Sequence, residues 1–476
     1  LPLAGPATTG CGWPMSRSGR RLEPQSLGSP TEAAWVPPQR LVRKGRGKAT
    51  QRTARRLAPD RHQRLMRHIG SLRDIEEILV FIDDHFGDLS SSHTVSSFSR
   101  LSKLGYPIPR AFPEGSTFSR LVQLMTAFLA RGHFDARGLS NILLAGTYFG
   151  RENAELEQFL RHCAGALIQK LDDAKALDLA TSAWALARLG ERNVLLLEGI
   201  SRVSRSKRAD FGVLELSKLA WAFATLGLCD AGLFRIIAEE SLAKRSDLAP
   251  KAGLSNLAWS FAKLGLGDAV GLFRAIAVEL EGRLRECKPK ELSQLLWAFG
   301  KVGACEAELF RAAAKQAAPR LPDFQAQHLS NLVWAYASLA LEDEGLLGAV
   351  AKEATAKIAH FKPQELSNIL WAFATLSMSH PDLFDAVTQE ATGKVHGFMP
   401  QNLSNLMWAF ATLAMTDPVL FRTIMKQAIL KVTDFTPHGL SNFAWAVASL
   451  GLEEPDLLRA IASDFSRRLE EFDPRT

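Results

Sequence analysis

Two rows of polar side chains recur at a fixed interval, and they are the residues of this chain best suited to chemistry. The first row reads Asn141, Thr181, Lys218, Asn256, Gln294, Asn331, Asn368, Asn405 and Asn442. The second, seven residues further on in each copy, reads Tyr148, Arg188, Thr225, Lys263, Lys301, Ser338, Thr375, Thr412 and Ser449. Carboxamides and hydroxyls hydrogen-bond base edges and sugars, and Lys and Arg meet phosphates. The second row varies from copy to copy, as a row that reads bases must. The first is Asn in its last four members, so it reads equally as an asparagine ladder that satisfies backbone groups between neighbouring copies. A third row, Arg235, Arg274, Arg311, Arg422 and Arg459, follows a recurring apolar pair. It suits a phosphate backbone, or else is solvated surface paired with acids such as Glu239 and Glu240.

Beside the first two rows stand Trp184, Trp221, Trp259, Trp297, Trp334, Trp371, Trp408 and Trp445, spaced by 37 or 38 residues. On an open face each could stack on an unpaired base for about 1–3 kcal/mol. Strict spacing on a helix reads first as core, with the indole N–H on a nearby carbonyl. Bond-making chemistry has less to work with. HExxH, GxSxG, a P-loop and paired carboxylates are missing from the sequence, and the histidines are scattered. The five cysteines include no CxxC pair, which argues against a zinc site or disulfide framework. The expectation is a binding protein, not an enzyme, with no cofactor, no metal, no small-molecule substrate and no membrane span.

The elements that carry these rows are copies of one stretch. Leu366–Leu376 reads LSNILWAFATL, Leu403–Leu413 reads LSNLMWAFATL, Leu329–Leu339 reads LSNLVWAYASL and Leu440–Leu450 reads LSNFAWAVASL. A period in this range marks a stacked repeat array. At 100° per residue, positions 1, 4, 5, 8 and 11 of the stretch form an apolar arc too wide for a helix with one wet face. Positions 3, 7 and 10 form a narrow stripe flanked by the tryptophan, and positions 2 and 9 are small. Pro363 suits the first turn of this helix, helix A, which is expected to run to about Ser377. Helix B is expected from about Leu383 to Val395, with Asp382 as its N-cap.

Copies begin near Val95, Leu139, Leu179, Leu216, Leu254, Leu292, Leu329, Leu366, Leu403 and Leu440. The fold class is therefore all-α: an α-α solenoid of about ten helical hairpins of 37–38 residues. Residues 1–68 are expected to be a disordered basic segment, 69–138 degenerate helices with a capping repeat, and 139–476 the repeat array. Of the 57 Lys and Arg, 14 fall in 1–68 against three of the 50 Asp and Glu; the other 43 and 47 leave the array four charges negative. The basic character of the chain thus belongs to its N-terminal stretch. That stretch, Arg-rich, Ser-containing and poor in acids, resembles a transit peptide, or else is a basic tail that touches RNA or nothing. Phe361-x-Pro363, Phe398-x-Pro400, Phe435-x-Pro437 and Phe472-x-Pro474 repeat at 37, so a further Leu-Ser-Asn is expected just past Thr476 and the array reads as truncated, the alternative being that the last helix B is the natural cap.

LSN-x-x-WAFA-(T/S)-L in helical hairpins of 37–38 residues resembles the leucine-rich repeats of FAST-kinase-like and RAP-domain proteins. It is also similar to octotricopeptide-type repeats and to the repeat subunits of RNA-editing substrate-binding complexes. The resemblance spans about Thr94 to Thr476 and is strongest from Leu254 to Leu450. It implies an organellar protein, mitochondrial or alternatively plastid, that binds single-stranded RNA in processing, stability, translation or ribosome assembly, with other proteins of such a complex as partners. The RAP module itself is not seen, and neither the Gly-rich loop nor the HRD and DFG of a kinase is present. The competing expectation is a protein-binding scaffold of armadillo or HEAT type. If each copy reads one base, the footprint is about ten nucleotides.

Overall fold

The computed structural model describes residues 61–113, 115–149, 152–244 and 251–469. The basic stretch 1–60 and the Phe472-x-Pro474 lead-in lie outside them. All regular structure in the described residues is helical. The A helices are α1 (Arg61–Ser71), α3 (Ser91–Lys103), α5 (Ala136–Gly146), α7 (Ala176–Leu189), α9 (Val213–Thr225), α11 (Lys251–Lys263), α13 (Pro289–Val302), α15 (Ala326–Ser338), α17 (Pro363–Thr375), α19 (Pro400–Thr412) and α21 (Pro437–Ser449). The B helices are α2 (Ile75–Asp84), α4 (Thr117–Ala130), α6 (Ala154–Ile168), α8 (Val194–Ser206), α10 (Ala231–Ala243), α12 (Val270–Leu280), α14 (Ala307–Ala317), α16 (Glu344–Ala356), α18 (Pro381–Lys394), α20 (Pro418–Leu430) and α22 (Pro455–Arg467).

Each A helix packs on the A helices before and after it, and each B helix more loosely on its B neighbours. The result is a two-layer α-α solenoid whose A layer is the tighter. Small residues make that possible. A Cβ on Gly300 would meet the Ala335 Cα of the next A helix at 3.0 Å, so only glycine allows this approach. The apolar arc packs as its width requires: Leu366, Ile369 and Leu370 are fully buried and Phe373 is 1% exposed. Ser367 and Ala374, at the small positions, are buried as well.

The helix starts are set by side chains just ahead of the Leu-Ser-Asn signature. The Glu365 carboxylate accepts the Lys362 N–H at 2.8 Å, Glu291 accepts that of Lys288 at 2.9 Å, and Asn402 that of Met399 at 3.1 Å. Pro363 occupies the first turn as expected, and α17 ends at Thr375, two residues early. Helix B departs from expectation at its cap. It starts at Pro381, which puts His380 at the N-cap and Asp382 inside the first turn. The capping aspartate sits one repeat later at the equivalent place, where Asp417 accepts the Leu420 N–H at 2.7 Å.

The boundary at residue 68 is corrected. α1 begins at Arg61, and Leu65, Ile69 and Leu72 are buried. These three apolar residues lie among Arg and His, and composition hides so thin a stripe. With α2, α1 forms a further hairpin ahead of the ten that the repeats announce.

Every hairpin from α7 onward whose B helix ends in Lys is laced by that residue to its own entry turn. Lys394 Nζ donates to the carbonyls of Ala359 and Phe361 at 2.9 and 2.8 Å, and Lys431 to those of His396 and Phe398 at 3.0 and 2.6 Å. Lys207, Lys244 and Lys357 do the same, and Arg468 reaches the Phe435 carbonyl at 2.9 Å.

Candidate nucleic-acid interface

The two polar rows lie on the open side of the A layer, turned away from the B helices. Position 7 does not join them. Ala335, Ala372 and Ala409 are fully buried between A helices, so the stripe has two rows, not three. The closeness of the A layer is the cause.

In the first row, Asn331, Asn368 and Asn405 are half-buried. Among the described residues their carboxamides have no hydrogen-bond partner. Upstream, Gln294 Nε2 donates to Asn256 Oδ1 at 3.2 Å across one repeat, and Asn442 meets His438 of its own helix at 3.2 Å. An asparagine ladder onto the backbone is therefore not formed. In the second row, Thr375 and Thr412 donate their hydroxyl protons to the Trp371 and Trp408 carbonyls at 2.8 Å, and Ser338 to that of Trp334 at 2.7 Å. Each keeps only acceptor capacity toward a ligand. Thr225 Oγ1 is buried without a partner.

The tryptophans are not core. Seven are half-buried and Trp445 is 49% exposed. Six of them lean on a neighbour: ring centroids are 6.2 Å apart for Trp184 and Trp221, 5.9 Å for Trp297 and Trp334, 6.2 Å for Trp334 and Trp371, and 6.4 Å for Trp371 and Trp408. Their planes are inclined by 29–37°. Such separations are those of aromatic pairs already in contact, about 4.5–7 Å, and leave no gap for an inserted base. The rings of Trp184 and Trp221, and those from Trp297 to Trp408, thus form two closed runs beside the polar rows, and among the described residues no ring contact joins Trp259 or Trp445 to a neighbouring tryptophan.

The cations gather on one part of this face. The Arg188 guanidinium lies 5.1 Å from the Trp184 ring and the Lys263 ammonium 4.8 Å from that of Trp259. Arg188, Lys218 and Lys263 are in no ion pair among the described residues. Burial holds Lys218, Lys263 and Lys301 below the usual lysine range. Lys290, at the start of α13, is lowered by burial and also by repulsion from Arg188, with Glu291 opposing. His328 of α15 is pushed down to about 4, first by burial and then by Lys290. Side chains from α7, α13 and α15 thus share one field. The motif-based reading passes over Lys290 and His328, because both precede the leucine that opens the motif.

The arginine row of the B helices sits on the opposite layer. Arg235 pairs with Glu239 at 3.9 Å, Arg274 with Glu306 at 3.8 Å, Arg311 with Glu308 and Arg459 with Asp456. Arg422 has no ion pair among the described residues. Among the described residues no three His, Cys, Asp or Glu are placed to hold a metal, and no helix is long and apolar enough to cross a membrane.

Comparison with known proteins gives one family. No curated protein matches the chain. Among solved structures, a chain of a full-length AP-3 complex homology model in an intermediate open conformation aligns over 85% of this chain and 80% of its own length. Its identity is 12% and its TM-score 0.26, too low to support any argument. The family profile of the RNA-editing substrate-binding complex 6 protein matches residues 117–472, well over half the sequence. The chain belongs to the RNA-editing substrate-binding complex 6 protein family.

Proposed function

We propose that this protein binds single-stranded RNA on the cationic part of its A face, from α7 to α13, as a non-enzymatic component of a mitochondrial RNA-editing assembly. One observation carries the reading. Arg188 and Lys263 hold positive charge over the Trp184 and Trp259 rings, and with Lys218, on which the Glu215 charge acts, they form no ion pair among the described residues. Arg188 and Lys218 are half-buried and Lys263 is exposed; cations gathered on one face without an ion pair repel one another and are neutralised by a polyanion. The family name supports the RNA partner and the assembly. The Arg-rich N-terminal stretch supports the organelle. If each hairpin in this part meets one nucleotide, the footprint is about four nucleotides, shorter than the number of repeats suggests.

The test replaces Arg188, Lys218 and Lys263 together by Ala in the full chain. Affinity for a short oligouridine should fall by at least about tenfold, and the slope of log affinity against log salt should shrink by about 2. Helicity and melting temperature should hold, because these side chains stand on the open face. Unchanged affinity overturns the reading. Imaging of the tagged full-length protein tests the location, and a plastid or cytosolic signal overturns that part.

A further inference from the structure

The A face has a second half that the RNA reading leaves unused. From α15 to α19 the two rows are Asn331, Ser338, Asn368, Thr375, Asn405 and Thr412, without a single charge. We propose that this neutral half is a docking face for an extended polypeptide segment of a partner protein. The inference stands independently of RNA binding.

Three features of this face point to a peptide backbone. The half-buried carboxamides of Asn331, Asn368 and Asn405 are unbonded, and an unmet amide at the edge of a packed face gains most from a partner that both donates and accepts. A peptide group does both at every residue; along an RNA strand the phosphodiester only accepts, the base edges change from one nucleotide to the next, and the 2′-hydroxyl is the one uniform group that also donates. Identical groups at identical intervals cannot read a sequence, but they match a repeating backbone. The hydroxyls of Ser338, Thr375 and Thr412 have given their protons to their own helices, so they are left to accept N–H groups.

The charge distribution separates the two halves. A nucleic-acid strand brings one negative charge per nucleotide and finds its counter-charges between α7 and α13. A polypeptide backbone brings none and finds none to meet in the two rows from α15 to α19. Beside the neutral rows run Trp334, Trp371 and Trp408, with ring centroids 6.2 and 6.4 Å apart. An extended chain advances about 6.6 Å every two residues, so every second side chain of a bound segment falls on the next indole of the run. Main-chain pairing then gives affinity and the run selects apolar or aromatic side chains at alternate positions.

The test selects linear dodecapeptides displayed on phage against the immobilised full chain, then measures synthetic copies by fluorescence anisotropy beside a short oligouridine. Replacing Asn331, Asn368 and Asn405 together by Ala should weaken peptide binding at least about tenfold, at roughly one hydrogen bond per site, and leave oligouridine affinity within about twofold. The Arg188, Lys218 and Lys263 triple Ala variant should do the reverse. The single Asn368→Ala change, at one half-exposed position, should weaken peptide binding a few-fold and serves if the triple variant melts early. Failure to select any peptide that binds, unchanged peptide affinity in the asparagine variants, or an equal loss of oligouridine and peptide binding overturns the proposal. Loss of oligouridine binding in neither triple variant would instead count against the RNA reading alone.

Discussion

His328 Nδ1 accepts the Gln325 N–H at 3.2 Å, and Lys290 stands close enough to repel a second charge. Both burial and that lysine keep the ring neutral, with its folded value about 4 against an ordinary 6.5. Between those two values the unfolded chain binds the extra proton and the folded one does not, so stability rises with pH. The contribution is complete above pH 6.5 and fades as pH falls toward 4. NMR titration of His328 should show the lowered value, and Lys290→Ala should raise it. Adding oligouridine should raise it too, because phosphates screen Lys290. A titration near 6.5 that ignores both changes would contradict the described field. At this scale the sequence is only partly legible. The rows at positions 3 and 10 follow from periodicity, but Lys290 and Arg188 are 102 positions apart and only packing brings their charges together.

Helix ends explain most of what differs between one repeat and the next. Gly190, Gly227, Gly265, Gly303 and Gly451 follow their A helices with φ between 60° and 73°. Ala340, Ser377 and Ala414 hold the same left-handed conformation at φ 52°, 55° and 52°, where a Cβ is disfavoured. Each changed to Gly should stabilise the protein by about 1 kcal/mol, nearly additively because the sites lie in separate repeats. Chemical denaturation of the single and triple variants measures this, and destabilisation would contradict it. Helix A could be read from its apolar arc and Pro363, and its burial follows from the width of that arc. The tryptophans could not be read so far. Spacing shows that Trp371 recurs on one face, but not that Trp334 and Trp408 lean on its two sides and leave an edge open. Caps such as Glu365 were legible in principle, since a carboxylate three residues after an extended residue closes a first turn.

At the scale of the whole array, stability is a sum over neighbours. The lysine lacing should therefore act locally. Lys394→Met removes two charge-assisted bonds on a partly exposed side chain and should cost about 1–2 kcal/mol. Hydrogen exchange should quicken around Ala359–Phe361 and stay unchanged in the hairpins built from α5 to α8; a global loss of protection would contradict a nearest-neighbour array. The period of the tryptophans is enough to give the solenoid, because a hairpin with two apolar faces can only be stable in a stack. The lacing lysines keep the same interval at Lys357, Lys394 and Lys431. They escape a reading by motif because a lysine ending a helix looks like any solvated charge.

The lacing also bears on how such a chain can change in length. Lys394 closes a ring that opens at Ala359, and Lys431 closes the next, which opens at His396. Each ring begins just past the lysine that closes the one before it: Ala359 lies beyond Lys357, and His396 beyond Lys394. Cutting within a ring strands an ammonium or a pair of carbonyls, whereas removing or doubling a whole ring leaves every remaining clasp intact. Inheritance by whole links is thereby the tolerated path, and it keeps the interval constant while the residues on the open face are free to diversify.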